Sequence, residues 1–408
     1  HKAASRTMQD LIVGSTVAVV WAMLTVADAA MIYVMDPVSS LGRQAWKAIR
    51  RRKVIEPPKK VLVLGSSFAG LTIRNELHGD EFDVTLVDRK DYFEYTPGIL
   101  RCVVQPNKAE ELCAKIQPPR NGRFVKGEVW SVGTNSAQIR IGDSELQDMP
   151  FDYCVIAIGS EYRAPWKTGP GAASLEERAA SWEGERARLE QAKSVIIIGA
   201  GLVGVELAGE VAAACPGKVV TLVDRAAGVC EGMPAKARNH VQQWLKRMGV
   251  RMVLGRSLRS FDDKGCELDD GTSLQADLVF PCLGVKASGG GLHGSLGEAA
   301  DAGGAIRVDG CLQVEGRPGV FAVGDVMRHA SAELKMGHTA EMNAHVVAHS
   351  IRNMARGLPP LAYPEALAGK GMPTPRIACI SLGPYNGVVV FNWLVITGPL
   401  AAVVKWLI

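Results

Sequence analysis

No two of the nine cysteines stand in a C-x-x-C or C-x-x-x-x-C pair. Cys102, Cys113, Cys154, Cys215, Cys230, Cys266, Cys282, Cys311 and Cys379 lie mostly in or beside apolar runs. That usage points to buried, reduced thiols in a reducing compartment, and it removes a redox-disulfide relay from the chemistry. Strong charge of one sign is also missing. The formal net charge is only +4, the charges are dispersed, and no stretch interleaves aromatic with basic residues, so nucleic acid is excluded as a partner. With 47% hydrophobic and 22% charged residues, the 408-residue chain is globular and long enough for two or three domains with sizeable cores.

The most informative stretch is Ser194 to Glu210, SVIIIGAGLVGVELAGE. Val195 to Ile198 is a short β-branched run suited to a parallel strand covered on both faces. Gly199, Gly201 and Gly204 follow at G-x-G-x-x-G spacing. The first allows a sharp turn, the second lets backbone N–H groups approach a pyrophosphate, and the third lets the new helix lie close to its strand. The phosphate then sits at the helix N-terminus, where unpaired N–H groups favour negative charge. After a second apolar run, Val219 to Val223, Asp224 stands where a carboxylate accepts ribose hydroxyls.

The pattern occurs twice. Lys60 to Gly70, KVLVLGSSFAG, repeats the strand, turn and helix start, with Gly65 and Gly70 at the outer positions and Ser67 where the middle glycine belongs. Val84 to Val87 is the next strand, and Asp88 ends it roughly twenty residues beyond the turn, so two ribose-binding acids imply two dinucleotides. Each unit is followed by short strands, Gly122 to Gly159 after the first and Val250 to Gly284 after the second, which makes a weak internal repeat. Gly319 to Val326, GVFAVGDV, is a strand ending in Gly324-Asp325 that would complete the first unit.

Two apolar segments flank this body. Leu11 to Met35 is interrupted only by Asp28, and as a helix it would reach about 37 Å against a hydrocarbon core of about 30 Å. It is expected to span a membrane once, with an interfacial or buried helix as the alternative. Arg43, Lys47, Arg50, Arg51, Arg52 and Lys53 follow it, whereas only Lys2 and Arg6 precede it, which would hold the C-terminal bulk on the cytosol-like side. The chain opens on His1 rather than Met, which is compatible with a processed targeting segment. Val388 to Ile408 carries one Lys and two Trp among aliphatic residues. It is expected either to dip into or cross a bilayer or to fold as a buried hairpin.

GSSFAG with Asp88, YCVIAIGS, GAGLVGVELAGE with Asp224, and GVFAVGDV occur in the order found in two-dinucleotide-binding-domain flavoprotein oxidoreductases. DRKDYFEYTPGILR, KMGHTAEMNAHVVAHSIRN and ISLGPYNGV sharpen the match over roughly residues 59 to 395. The chain resembles type II NADH:quinone oxidoreductases and the apoptosis-inducing-factor-like and ferroptosis-suppressor-like flavoproteins. That resemblance implies an α/β fold of two Rossmann-like domains, the NAD domain inserted in the FAD domain. Its expected divisions are 1–58 as membrane span and basic linker, 59–163 with 285–345 as FAD domain, 164–284 as NAD(P)H domain, and 346–408 as a membrane-associating segment. It also implies electron flow from NAD(P)H through FAD to a membrane quinone, without metal or disulfide. The alternative is an accessory or assembly subunit of a larger membrane complex. An organelle membrane is the expected location, mitochondrial inner or thylakoid, with the domains on the matrix or stroma side.

By the same resemblance, Gly65, Ser67, Phe68, Ala69 and Gly70 hold the FAD pyrophosphate, and Asp88 with Arg89 beside it the adenosine ribose. Val125 meets the adenine edge, Pro97 the isoalloxazine, and Gly324 with Asp325 the ribitol side, while Gly159 closes the strand end that passes the cofactor. Gly199, Gly201, Val203 and Gly204 take the NAD(P)H pyrophosphate and Asp224 its ribose. An anionic Asp224 favours NADH, and the adjacent Arg225 keeps NADPH open. Glu206 is a catalytic candidate facing nicotinamide and flavin, or only a helix-start acid complementing the dipole. His338 and Lys335 are proton-donor candidates, or surface side chains.

Overall fold

The computed structural model describes residues 57–407 except 78, 143–145, 164, 168–171, 365–376 and 393. The expected membrane span Leu11 to Met35 and the basic run after it lie outside the described residues.

Two parallel sheets dominate. The first is built on β1 (Lys59–Leu64), followed by α1 (Phe68–Glu76), β2 (Phe82–Asp88) and β3 (Gly122–Lys126). A meander of β4 (Glu128–Val132), β5 (Ser136–Arg140) and β6 (Leu146–Pro150) leads to β7 (Tyr153–Ile156). The second begins after α2 (Leu175–Gln191) with β8 (Ser194–Ile198), α3 (Leu202–Ala214), β9 (Val219–Asp224), α4 (Ala235–Arg247) and β10 (Arg251–Leu254). Its own meander, β11 (Leu258–Asp262), β12 (Gly265–Leu268) and β13 (Ser273–Gln275), returns through β14 (Leu278–Pro281). The chain then re-enters the first sheet at β15 (Val320–Ala322).

Strand order is β15-β7-β1-β2-β3 in the first sheet and β10-β9-β8-β14 in the second. Both central strands are apolar because both faces are covered: Val61 to Leu64 and Val195 to Ile198 are all buried. Register is continuous across each sheet. Val63 lies opposite Leu86 on one side and Val155 on the other, and Ile197 opposite Leu222 and Phe280. In each unit the carboxyl end of the central strand feeds the glycine turn, the crevice where doubly wound sheets bind ligands.

Helix α5 (Gly337–Met354) packs along α1, sealing the first unit. Glu76 at the end of α1 is clamped by His345 and Arg352 of α5. A three-stranded antiparallel sheet, β16 (Ile377–Ser381), β17 (Gly387–Phe391) and β18 (Leu394–Thr397), follows, and α6 (Pro399–Leu407) lies across it. The apolar run from Val388 therefore does not form a membrane-crossing helix. Asn392 at φ 53° and Gly398 at φ 88° bend the chain into a hairpin and then a helix of nine residues, about 13 Å long. Among the described residues no helix is long and apolar enough to cross a membrane.

Candidate active site

The repeat extends to individual hydrogen bonds. Gly65 N donates to Val87 O and Gly199 N to Val223 O, both at 2.7 Å. Gly65 sits at φ 105° and Gly199 at φ 110°, a region that only glycine enters at low cost. A Cβ on Gly70 would lie 1.8 Å from Gly65 O, and one on Gly204 would lie 1.8 Å from Gly199 O, so each helix presses on the turn that launches it.

The acids ending the second strands brace these turns. Asp88 accepts from Ser66 N at 2.7 Å, Ser66 Oγ at 2.8 Å and Lys90 N at 2.9 Å. Asp224 accepts from Ala200 N at 2.5 Å and Ala226 N at 2.7 Å. After that bracing, Asp88 keeps one lone pair for a ribose hydroxyl, on Oδ1, and Asp224 keeps one on each oxygen. Ser67 and Gly201 cap α1 and α3 without a side-chain hydrogen bond, and a Cβ added at Gly201 would meet nothing within 4 Å, so the second cradle is open at its mouth. Two helix N-termini without side-chain caps fit two diphosphates. Ser67 departs from the glycine pattern at an ordinary φ of −98°, so it is unstrained.

At the far end of the first cradle, Gly324 follows β15 at φ 71°, and its N–H is held by Asn343 Oδ1 at 3.0 Å. The Asp325 carboxylate accepts from Ser160 Oγ at 2.5 Å and faces Lys167 Nζ at 3.4 Å. Lys167 also donates to Ser160 Oγ at 2.6 Å and Ser160 O at 3.1 Å. Lys335 donates to Gly324 O and Met327 O, and burial lowers its pKa. Its ammonium is thus spent on the turn backbone. His338 is half-buried, and that burial lowers its pKa.

Glu206, one turn into α3, is buried against the C-terminal sheet, where its Oε1 accepts from Ser381 N at 2.7 Å and from Lys405 Nζ. Four residues on, Glu210 pairs with Arg101 at 3.2 Å, and burial raises its pKa. Tyr95 faces this cluster: burial raises its phenol, helped by Cys379, Glu341 and Glu206. Burial also raises Cys379 and Glu341. Phe68 bridges the regions, its ring 5.2 Å from Phe93 and 5.9 Å from Tyr95, with Gly337 of α5 closing over it.

The remaining sequence candidates are dispersed around these cradles. Ala69 is buried on α1, while Val125 on β3 and Val203 on α3 are half-buried. Pro97 is exposed in the loop before Gly98, and Gly159 turns at φ 69°, its carbonyl accepting from Ser288 N at 3.1 Å. Arg89 is exposed and points to Glu128, 3.9 Å away. Four residues that sequence reasoning passed over belong to the site: Ser66, Ser160, Lys167 and Lys405. Lys405 did carry a signal, as the one charge in an apolar run. Ser160 ends the YCVIAIGS motif, but nothing local pairs it or Lys167 with Asp325, since that meeting spans more than 150 positions of chain.

A family model described as pyridine nucleotide-disulphide oxidoreductase matches residues 59–349. Apoptosis-inducing factor homolog B of Dictyostelium discoideum is 29% identical over 364 residues, covering 81% of this chain and 89% of that protein. Ferroptosis suppressor protein 1 of Xenopus laevis is 28% identical over 350 residues, covering 83% and 90%. The type II NADH:quinone oxidoreductase of Staphylococcus saprophyticus is 25% identical over 394 residues, covering 85% and 93%. The solved structure of NDH2 from Plasmodium falciparum in complex with NADH superimposes with a TM-score of 0.69 at 13% identity, covering 85% of this chain and 93% of that one, a likeness of fold.

Proposed function

Because the chain belongs to the pyridine nucleotide-disulphide oxidoreductase family, with FAD and NAD(P)H as its cofactors, we propose that it is an NAD(P)H:quinone oxidoreductase working at a membrane. The single observation that carries this reading is the position of Glu206. The helix whose N-terminus forms the second cradle buries that acid, one turn on, against Ser381 and Lys405 of the apolar C-terminal sheet and helix. Nucleotide cradle and apolar surface thus share one rigid helix.

Bound FAD supplies the chemistry of accepting a hydride from NAD(P)H and passing electrons to a quinone acceptor. The chain's residues do the placing. Gly65 to Gly70 and Gly199 to Gly204 hold the two pyrophosphates, and Asp88 and Asp224 fix the riboses. Asp325, with Ser160 and Lys167, anchors the ribitol side. Phe68, Phe93 and Tyr95 exclude water beside the ring site. Quinone reduction takes up a proton. Glu341 and His338, one turn apart on α5 and both half-buried, are the side chains that would supply it, and Glu206 with Lys405 positions the acceptor.

The test is anaerobic. NADH should bleach the flavin of the purified protein, and a short-chain quinone should restore its colour. Absence of bleaching at saturating NADH and NADPH would sink the enzyme reading and favour a nucleotide-binding accessory subunit.

A further inference from the structure

Chain order puts residues 92–104 between β2 and β3 of the first sheet, yet much of this segment is buried in the second unit. Ile99, Cys102 and Val103 share one core cluster with Trp182 and Leu189 of α2 and Leu207 of α3. Arginines reinforce the attachment. Arg178 of α2 donates to Glu94 Oε1 at 3.1 Å, and Arg186 of α2 donates to Val104 O at 3.0 Å. Arg101, in the segment itself, donates to Glu210 Oε1 of α3 at 3.2 Å. The same segment carries Phe93 and Tyr95, whose rings pack on Phe68 of the first cradle.

The Arg101–Glu210 pair is the anchor that reaches the nucleotide helix. Glu210 lies on α3 four residues after Glu206, on the same face, and its side chain is only 6% exposed. Glu206 ties that face to Ser381 and Lys405, and Glu210 ties it to the 92–104 segment. Stability alone does not call for an ion pair here, because two leucines would fill the contact without the cost of desolvating charge. What the pair adds is a fixed distance and direction. An N–H···O bond weakens steeply when bent, whereas apolar side chains slide past one another at little cost.

We propose that Arg101 and Glu210 are positioning residues for hydride transfer, holding the Phe93–Tyr95 wall in register with α3 so that the seated nucleotide and the ring site move as one body. The inference deepens the proposed function and rests on its hydride step. In that step the nicotinamide C4–H bond breaks, its electron pair forms the flavin N5–H bond, NADH becomes NAD+ and the flavin is reduced. Arg101 and Glu210 act through Phe93 and Tyr95, and a wall displaced by about 1 Å is enough to slow such a step about a hundredfold.

Anaerobic stopped-flow bleaching by NADH separates binding from transfer. Arg101→Leu with Glu210→Leu keeps the contact filled and strands no buried charge, so folding is preserved. Its limiting rate should fall at least about tenfold, with half-saturation in NADH within about twofold of the parent, because Gly199 to Gly204 and Asp224 are untouched. Arg101→Lys supplies the same single charged bond and should stay within about threefold of the parent rate. A pair that only stabilised the fold would shift urea unfolding and leave the limiting rate alone. The proposal is overturned if the leucine pair bleaches within about threefold of the parent rate, or if the lysine variant is as slow as the leucine pair. A second readout needs no turnover. Saturating NAD+ should slow amide hydrogen exchange across residues 99–105 in the parent and leave it unchanged in the leucine pair, and equal protection in both overturns the proposal. A parent that NADH does not bleach sinks the hydride reading itself, while the exchange experiment still decides whether Arg101 and Glu210 couple the segment to α3.

Discussion

Replacing Gly201 with alanine separates what the second glycine turn does for the fold from what it does for the nucleotide. A Cβ at Gly201 meets no protein atom within 4 Å, and the residue has an ordinary φ of −72°, so the fold should lose no more than about 1 kcal/mol through the weaker N-cap. The methyl does enter the space where the first N–H groups of α3 approach a diphosphate. Losing one or two charge-assisted hydrogen bonds costs about 3 kcal/mol, roughly a hundredfold in affinity for NADH. Gly204→Ala supplies the contrast. Its Cβ must retreat from 1.8 Å to at least 3.0 Å from Gly199 O, about 1.2 Å of helix movement, so it should lose both nucleotide affinity and stability. Stopped-flow bleaching against NADH concentration and urea unfolding read the two quantities separately. The reasoning is refuted if Gly201→Ala binds NADH within about threefold of the parent or unfolds as early as Gly204→Ala.

Three further outcomes follow from contacts outside the glycine turns. Arg178 and Glu94 are both buried, joined at 3.1 Å through Nη2 and Oε1, and Arg178 also lies over the Trp182 ring. Arg178→Ala should cost about 3–5 kcal/mol in urea unfolding, because it strands a buried carboxylate. Glu76 is held near a pKa of about 2 instead of 4.5, first by the hydrogen bond from His345 and then by Arg352. A depressed carboxylate stabilises above its unfolded pKa, so that contribution is complete above about pH 5 and is lost as pH falls toward 2. Glu76→Gln should therefore lower stability at pH 7 and flatten its pH dependence between those limits, as followed by thermal melts across pH. Lys167→Gln removes the cation facing Asp325 and should raise the dissociation constant for FAD about tenfold, measured by fluorescence of released flavin, while NADH binding to the second cradle stays put.

The two βα units were legible because their information is local. A β-branched run, a glycine at a positive φ and an acid some twenty residues later sit in one short window, and steric law assigns each a job. The return of Gly319 to Val326 to the first sheet was legible only through the repeat, since three apolar residues alone do not select a partner strand. The C-terminal run was ambiguous for a physical reason: hairpin strands buried by a helix and a membrane segment are equally apolar. The deciding cues, Asn392 and Gly398 in left-handed backbone, are small against a hydropathy window. Glu206 was singled out from its motif, with a catalytic and a dipole-complementing reading both open. Its partners Ser381 and Lys405 lie 175 and 199 positions away, and no periodicity encodes a pairing at that range.

The order of strands in the two sheets also bears on how the protein is made. Every strand of the β8 sheet comes from residues 194–281, yet its helices α3 and α4 share a core with Ile380, Val388 and Val390 of the C-terminal sheet, so that unit stays uncovered on one side until the chain is nearly complete. The β1 sheet waits for Val320 to Ala322, and its seal, α5, ends at Met354. Truncations ending between Met354 and Ile377 should therefore keep the first sheet sealed while leaving α3 and α4 uncovered, and should lose NADH affinity before they lose flavin.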